Sequence, residues 1–177
     1  MRGIVLYQSK YGATERYATL LSYETGFYLT KVSDADIETV STYDVIVLCG
    51  GIYASKIAGI SFLRRNIDAL KGKKIMVFCC GASPYDELAF NDVVAHNFTG
   101  ELQGIPCFYG RGSLDMKRLT FKDRLLCKML RKSLAKKDPS TYEPLEAALM
   151  SVNEDEAQDW TDRAYLDPLL AEIMPSD

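Results

Sequence analysis

The stretch Ser9-Lys10-Tyr11-Gly12-Ala13-Thr14 is the first in the chain whose residue types and spacing match a chemistry. Two hydroxyls bracket a glycine, a short apolar run precedes them, and helical spacing begins directly afterwards. A helix N-terminus presents unpaired backbone N–H groups and the positive end of the helix dipole. The Ser9 and Thr14 hydroxyls add hydrogen-bonding groups and Gly12 lets the backbone come close, so the turn suits a phosphate. It also suits an ordinary N-cap and turn. Two more glycine-led stretches follow apolar runs: Gly50-Gly51-Ile52-Tyr53-Ala54 and Gly81-Ala82-Ser83-Pro84-Tyr85. Each carries a tyrosine that no apolar periodicity demands. Either one alone is an unremarkable surface tyrosine. Beside a phosphate turn, the pair suits a planar aromatic ligand held between rings. No side chain in the three stretches stands out as a catalytic acid or base.

These stretches need elements to position them. Gly3 to Gln8 is an apolar run with a buried-strand pattern, and Glu15 to Tyr23 has helical spacing stopped by Gly26. Phe27 to Val32 reads as a second strand and Asp34 to Tyr43 as a polar segment with room for a short helix. Val45 to Cys49 is a third strand, followed by helical spacing over Ile60 to Leu70. Lys74 to Cys80 is a fourth strand and Glu87 to Phe98 a helix. Ile105 to Tyr109 is a fifth strand, and a last helix is predicted over Glu154 to Ile173. Strands alternate with helices, and the apolar runs show little polar alternation. That predicts an α/β fold, a parallel sheet buried on both faces by right-handed crossovers. In such a fold ligands bind beyond the carboxyl ends of the strands, where all three stretches lie. One domain spans residues 1–177.

Composition narrows the function. The 177 residues are 47% hydrophobic and 25% charged, values of a globular chain. A net charge of −3 argues against a nucleic-acid binder, and the single histidine, His96, excludes multi-histidine metal sites and histidine relays. His96 falls in a predicted helix and reads as structural. The N-terminal apolar run is too short for a signal-peptide core, which predicts a cytoplasmic protein. The five cysteines form no CxxC pair and read as reduced and buried, with a redox role for adjacent Cys79-Cys80 as the alternative. No GxGxxG or GxxxxGK[ST] pattern is present. A receiver domain would need acids after the first and third strands, where this chain has Ser9 and Cys49-Gly50.

The mean charge hides an asymmetry. Residues 116–137 hold nine Lys/Arg against one acid, Asp123, and residues 138–177 hold eleven acids against one base, Arg163. Leu119, Phe121, Leu125, Leu126, Met129, Leu130 and Leu134 recur at helical spacing, with most of the basic residues off that face. The segment 119–137 is thus an amphipathic basic helix. Three roles fit it: covering the core, lying on an anionic membrane surface on the inner face of the cell membrane, or docking an acidic partner, including the chain's own acidic tail.

The three stretches together resemble the flavodoxin family. Ser9-x-x-Gly12-x-Thr14 is similar to its phosphate loop for FMN, and the Gly50 and Gly81 stretches to its two isoalloxazine loops. The resemblance covers about residues 1–110, with the last helix as the fifth of the fold. It implies a three-layer doubly wound sheet of five parallel strands in the order 2-1-3-4-5. It further implies an insertion over 111–150 and a last helix over 154–173. The cofactor would be FMN, held by Ser9, Lys10, Tyr11, Gly12, Ala13 and Thr14, by Gly50, Gly51, Ile52, Tyr53 and Ala54, and by Gly81, Ala82, Ser83, Pro84 and Tyr85. Tyr53 and Tyr85 would flank the ring. The basic segment is similar in arrangement to the branch containing menaquinone-linked protoporphyrinogen IX dehydrogenase. That implies a porphyrinogen substrate and a quinone acceptor. A carrier between redox proteins, and a module that has lost FMN, are the alternatives.

Overall fold

A computed structural model describes residues 1–153 and 155–174. Glu154, at the start of the predicted last helix, and residues 175–177 lie outside the described residues. The strands are β1 (Gly3–Gln8), β2 (Tyr28–Lys31), β3 (Val45–Tyr53), β4 (Lys56–Ile57), β5 (Lys74–Gly81), β6 (Cys107–Arg111), β7 (Ser113–Leu114) and β8 (Gln158–Asp159). The helices are α1 (Ala13–Thr25), α2 (Ile37–Val40), α3 (Ile60–Asn66), α4 (Glu87–Asn97), α5 (Phe121–Leu134), α6 (Pro144–Ser151) and α7 (Asp167–Ile173). Five parallel strands run in the order β2-β1-β3-β5-β6, the expected topology, with β4 folded back antiparallel on β3.

The centre of the sheet is buried on both faces because β1, β3 and β5 are apolar at nearly every position. Val5, Val47, Met76 and Phe78 meet α1 and α7 on one face. Ile4, Leu6, Ile46, Leu48 and Val77 meet the side chains of α2, α3 and α4 on the other. Alternation also decides the cysteine question. Cys79 and Cys80 point to opposite faces, so the adjacent pair cannot act together. Cys79 instead meets Cys107 across the strands, with the sulfurs 3.8 Å apart. All five cysteines are free; Cys49, Cys79 and Cys80 are buried as expected, whereas Cys107 and Cys127 are only half-buried.

The expected last helix is shorter than its sequence pattern. Gln158–Asp159 form β8, paired with β7, and a single 3-10 turn over Arg163–Leu166 leads into α7. Asp162 caps that turn by accepting from Ala164 N–H, and a proline occupies the first turn of α7. Leu166, Leu169, Leu170 and Ile173 then bury against α1 and the sheet. The predicted insertion contains β7, α5 and α6. α6 starts at a capping box in which Glu143 and Glu146 satisfy each other's backbone N–H groups.

His96 is exposed in the last turn of α4. Its neighbour Asn97 is the buried one.

The larger departure is α5. Leu119 and Leu134 are buried, but Phe121, Leu125, Leu126, Met129 and Leu130 are exposed. The core-covering role is therefore overturned. The side of the helix that meets the domain carries Asp123, Arg124 and Cys127. Arg124 donates to the carbonyls of Met116 and Leu119, and Cys127 packs on a small cluster of Met116, Leu119 and Val152.

Candidate functional site

The Ser9–Thr14 turn sits between the end of β1 and the start of α1. Ser9 Oγ accepts the Gly12 N–H at 3.0 Å, which closes the turn. Gly12 has φ 98°, a left-handed conformation that favours glycine, and stands as N-cap without a side chain to satisfy the helix. The first turn of α1 therefore keeps its N–H groups unclaimed by a side-chain cap. Thr14 is buried beside the Cys80 thiol. Burial pushes the Cys80 thiol up to about 12, so it stays protonated.

The second stretch bends over the first. Tyr53 Oη accepts the Lys10 N–H at 3.2 Å, and the Tyr53 ring meets Tyr11 edge-on at 6.4 Å. That ring lies directly over Gly51, where an added Cβ would come within 2.7 Å of the phenol oxygen. The turn after Tyr53 is tight. Ala54 and Ser55 both adopt positive φ, 47° and 63°, a conformation non-glycine residues rarely hold. Asn97 fixes it from below. Its side chain accepts the Ile57 N–H at 2.9 Å and donates to the carbonyls of Ser55 and Val93, both at 2.7 Å.

The third stretch is shaped by β6 and the C-terminal segment. Tyr109 donates to the Ser83 carbonyl at 2.5 Å, and burial pushes its phenol up to about 12. Arg111 Nε donates to the Ala82 carbonyl at 3.1 Å, while its guanidinium lies 4.0 Å over the Trp160 ring. Gly112 donates to the Gly81 carbonyl at 2.7 Å. Tyr17 ties these pieces to α1: its hydroxyl donates to the Arg111 carbonyl and accepts from Asp162 N–H.

These turns enclose a cavity of 190 Å³. Ser9, Tyr11, Ala13, Thr14, Gly51, Ile52, Tyr53, Gly81 and Ala82 line it among the predicted residues, and Cys80, Gly112, Leu119 and Cys127 among those the sequence did not mark. No charged side chain lines it among the described residues. A second cavity of 310 Å³ shares Ile52, Gly81 and Ala82 and adds Ala54, Ser83, Pro84 and Tyr85. Tyr53 and Tyr85 thus stand in different cavities on either side of a shared wall. Tyr85 packs with Phe90 and Tyr109 at ring distances of 5.6 and 5.9 Å. Gly50 packs under the Ala58 carbonyl, where a Cβ would come within 2.3 Å. The Lys10 ammonium turns toward α5.

Asp123, the single acid of the basic block, binds both the Lys10 ammonium and the Tyr11 hydroxyl. The hydrogen bonds from Lys10 and then Tyr11 hold its carboxyl below the usual range. The pair is partly exposed and adds little stability. Its geometric effect is to hold the start of α5 against the phosphate-type turn. No local pattern marked this contact, because its partners are 113 and 112 residues apart.

A family model described as a flavodoxin domain matches residues 4–141. No curated protein matches the chain. Among solved structures, the two-electron reduced flavodoxin of Megasphaera elsdenii is similar at 19% identity and TM-score 0.46, covering 60% of this chain and 82% of that one. A flavodoxin from the domain Archaea is similar at 14% identity and TM-score 0.40, covering 73% and 92%. A flavoprotein from Bacteroides eggerthii is similar at 16% identity and TM-score 0.44, covering 77% and 99%. The family match spans all five parallel strands and all three glycine-led turns, so the chain belongs to the flavodoxin-domain family.

Proposed function

We propose that this chain is an FMN-dependent redox protein whose flavin site is the cavity between the three turns. FMN is the cofactor of the flavodoxin-domain family, and when bound it supplies the electron transfer. The observation that carries the reading is the donor set. An uncapped helix N-terminus, with the Ser9 and Thr14 hydroxyls beside it, opens into a cavity that no acidic side chain lines among the described residues. A phosphate dianion needs that arrangement. The chain's own work is to bind and orient. Ser9, Gly12 and Thr14 would hold the phosphate; Gly51, Gly81 and Gly112 would let backbone come close to the ring; Tyr53 would wall one side of it, while Tyr85 lies beyond the shared wall of Ile52, Gly81 and Ala82. Reconstitution of the purified protein with FMN tests the reading. A yellow protein with bound flavin absorbance supports it, and a colourless protein that takes up no FMN overturns it.

Tyr53 gives a sharper expectation. Its hydroxyl occupies the Lys10 N–H, a donor of the phosphate turn. Tyr53→Phe removes that competitor and keeps the ring, so FMN should bind about fivefold tighter, one net hydrogen bond being worth about 1 kcal/mol. Tyr53→Ala loses the ring and binds FMN more weakly. Fluorescence titration of FMN measures both.

The finer reading is an oxidoreductase that oxidises a porphyrinogen and passes electrons to a quinone; it is supported by the basic segment inserted between β6 and α7. The alternative is a carrier between protein partners. An anaerobic assay of porphyrinogen oxidation with menaquinone separates them. Turnover supports the enzyme, and none from fully flavinated protein leaves the carrier.

A further inference from the structure

We propose that the outer face of α5 docks the protein on an anionic lipid surface. Phe121, Leu125 and Met129 recur every four residues, and Leu126 and Leu130 repeat the pattern one position on. At about 100° per residue these five cover about half the helix circumference. They are outward: Phe121 is 83% exposed, Leu126 65% and Met129 62%. Lys122, Lys132 and Lys136 stand among them rather than off the apolar face as the sequence pattern suggested, all exposed, and form no ion pair among the described residues.

Among the described residues, no ion pair of the chain's own acidic tail reaches these three lysines. Glu146 pairs with Lys137, Asp155 with Lys117 and Asp159 with Arg16, all beyond the helix. Asp123 turns inward to Lys10. The occupant must therefore offer apolar depth and distributed negative charge together. A second copy of the same face would bring like charges into contact. The interfacial region of an anionic bilayer supplies both features: apolar side chains enter the headgroup–acyl boundary while lysine stems extend to the phosphates. No helix among the described residues is long and apolar enough to cross a membrane, so the contact is peripheral. The opposite side of α5 packs Cys127 against the cavity proposed for the flavin, which docking would hold about one helix diameter from the lipid surface. The docking itself does not depend on FMN.

Co-sedimentation of the full chain with vesicles tests this, comparing phosphatidylglycerol–phosphatidylcholine mixtures with pure phosphatidylcholine. The expected result is binding to the anionic vesicles alone, weakened by salt. Lys122→Glu/Lys132→Glu/Lys136→Glu should lower partitioning about 100-fold or more, since each lysine near such a surface is worth about fivefold. Leu126→Glu/Met129→Glu should abolish binding at low salt although the lysines remain. Both sets are exposed, and circular dichroism with thermal melting checks that the variants fold. No binding of the folded wild type to anionic vesicles at low salt overturns the proposal. So does equal binding by folded variants, or a wild-type dimer in light scattering that Met129→Glu dissolves.

Discussion

Ser9→Ala with Thr14→Ala weakens FMN binding by about 100-fold to 10,000-fold and leaves riboflavin binding nearly unchanged. The size follows from the bonds at stake. A hydrogen bond to a charged acceptor is worth about 1.5–3 kcal/mol, and 1.4 kcal/mol is a factor of ten. Two hydroxyls at the N-terminus of α1 would each supply one to the phosphate. Riboflavin lacks the phosphate, so it would read only the ring-binding walls around Gly51, Tyr53 and Gly81. The wild type should therefore prefer FMN strongly, and the double variant should lose most of that preference. Paired fluorescence titrations with FMN and riboflavin measure it. A folded variant that loses affinity for both flavins equally would show that these hydroxyls shape the site rather than read the phosphate. Thr14→Ser, which keeps the hydroxyl, should bind FMN within a fewfold of wild type.

The elements behind that site were legible for a physical reason. Parallel strands covered on both faces are apolar at successive positions, so β1, β3 and β5 stand out as continuous runs, and each loop at their carboxyl ends is then marked. The same logic fails where a contact depends on distance along the chain. Asp123 reads as one acid among nine bases, yet it joins Lys10 and Tyr11 across the site. Arg111 reads as one more base, yet it spans the Ala82 carbonyl and the Trp160 ring. Helical periodicity shows that α5 is amphipathic but not which side the domain covers; the domain uses Asp123, Arg124 and Cys127 and leaves Leu125, Leu126 and Leu130 outside. The acidic tail looked like one helix because Leu166 to Ile173 keeps helical spacing. The pairing of Gln158–Asp159 with β7 and the Asp162 cap end that pattern before it reaches residue 158.

Asn97→Ala should cost about 3 kcal/mol of unfolding stability and weaken FMN binding at the same time. The side chain is buried and makes three hydrogen bonds, two of them to the β3–β4 turn, forty residues away and more. Removing it leaves the Ile57 N–H and the carbonyl of Ser55 without their partner, and a buried group left unpaired costs about 1–3 kcal/mol. The turn then has less to hold Ala54 and Ser55 at positive φ, a conformation that costs an L-residue about 1–2 kcal/mol. Tyr53, the residue just before that turn, would lose the ring's position over Gly51, which is how a residue outside both cavities reaches the ligand. Glycine bears no such penalty, so Ala54→Gly in the Asn97→Ala background should restore part of the lost stability. In an otherwise wild-type chain the gain should be smaller, because Asn97 already holds the turn. Urea unfolding of the four proteins closes the cycle. If Asn97→Ala costs less than about 1 kcal/mol, or Ala54→Gly gains nothing in either background, the turn is not held in the way these contacts require.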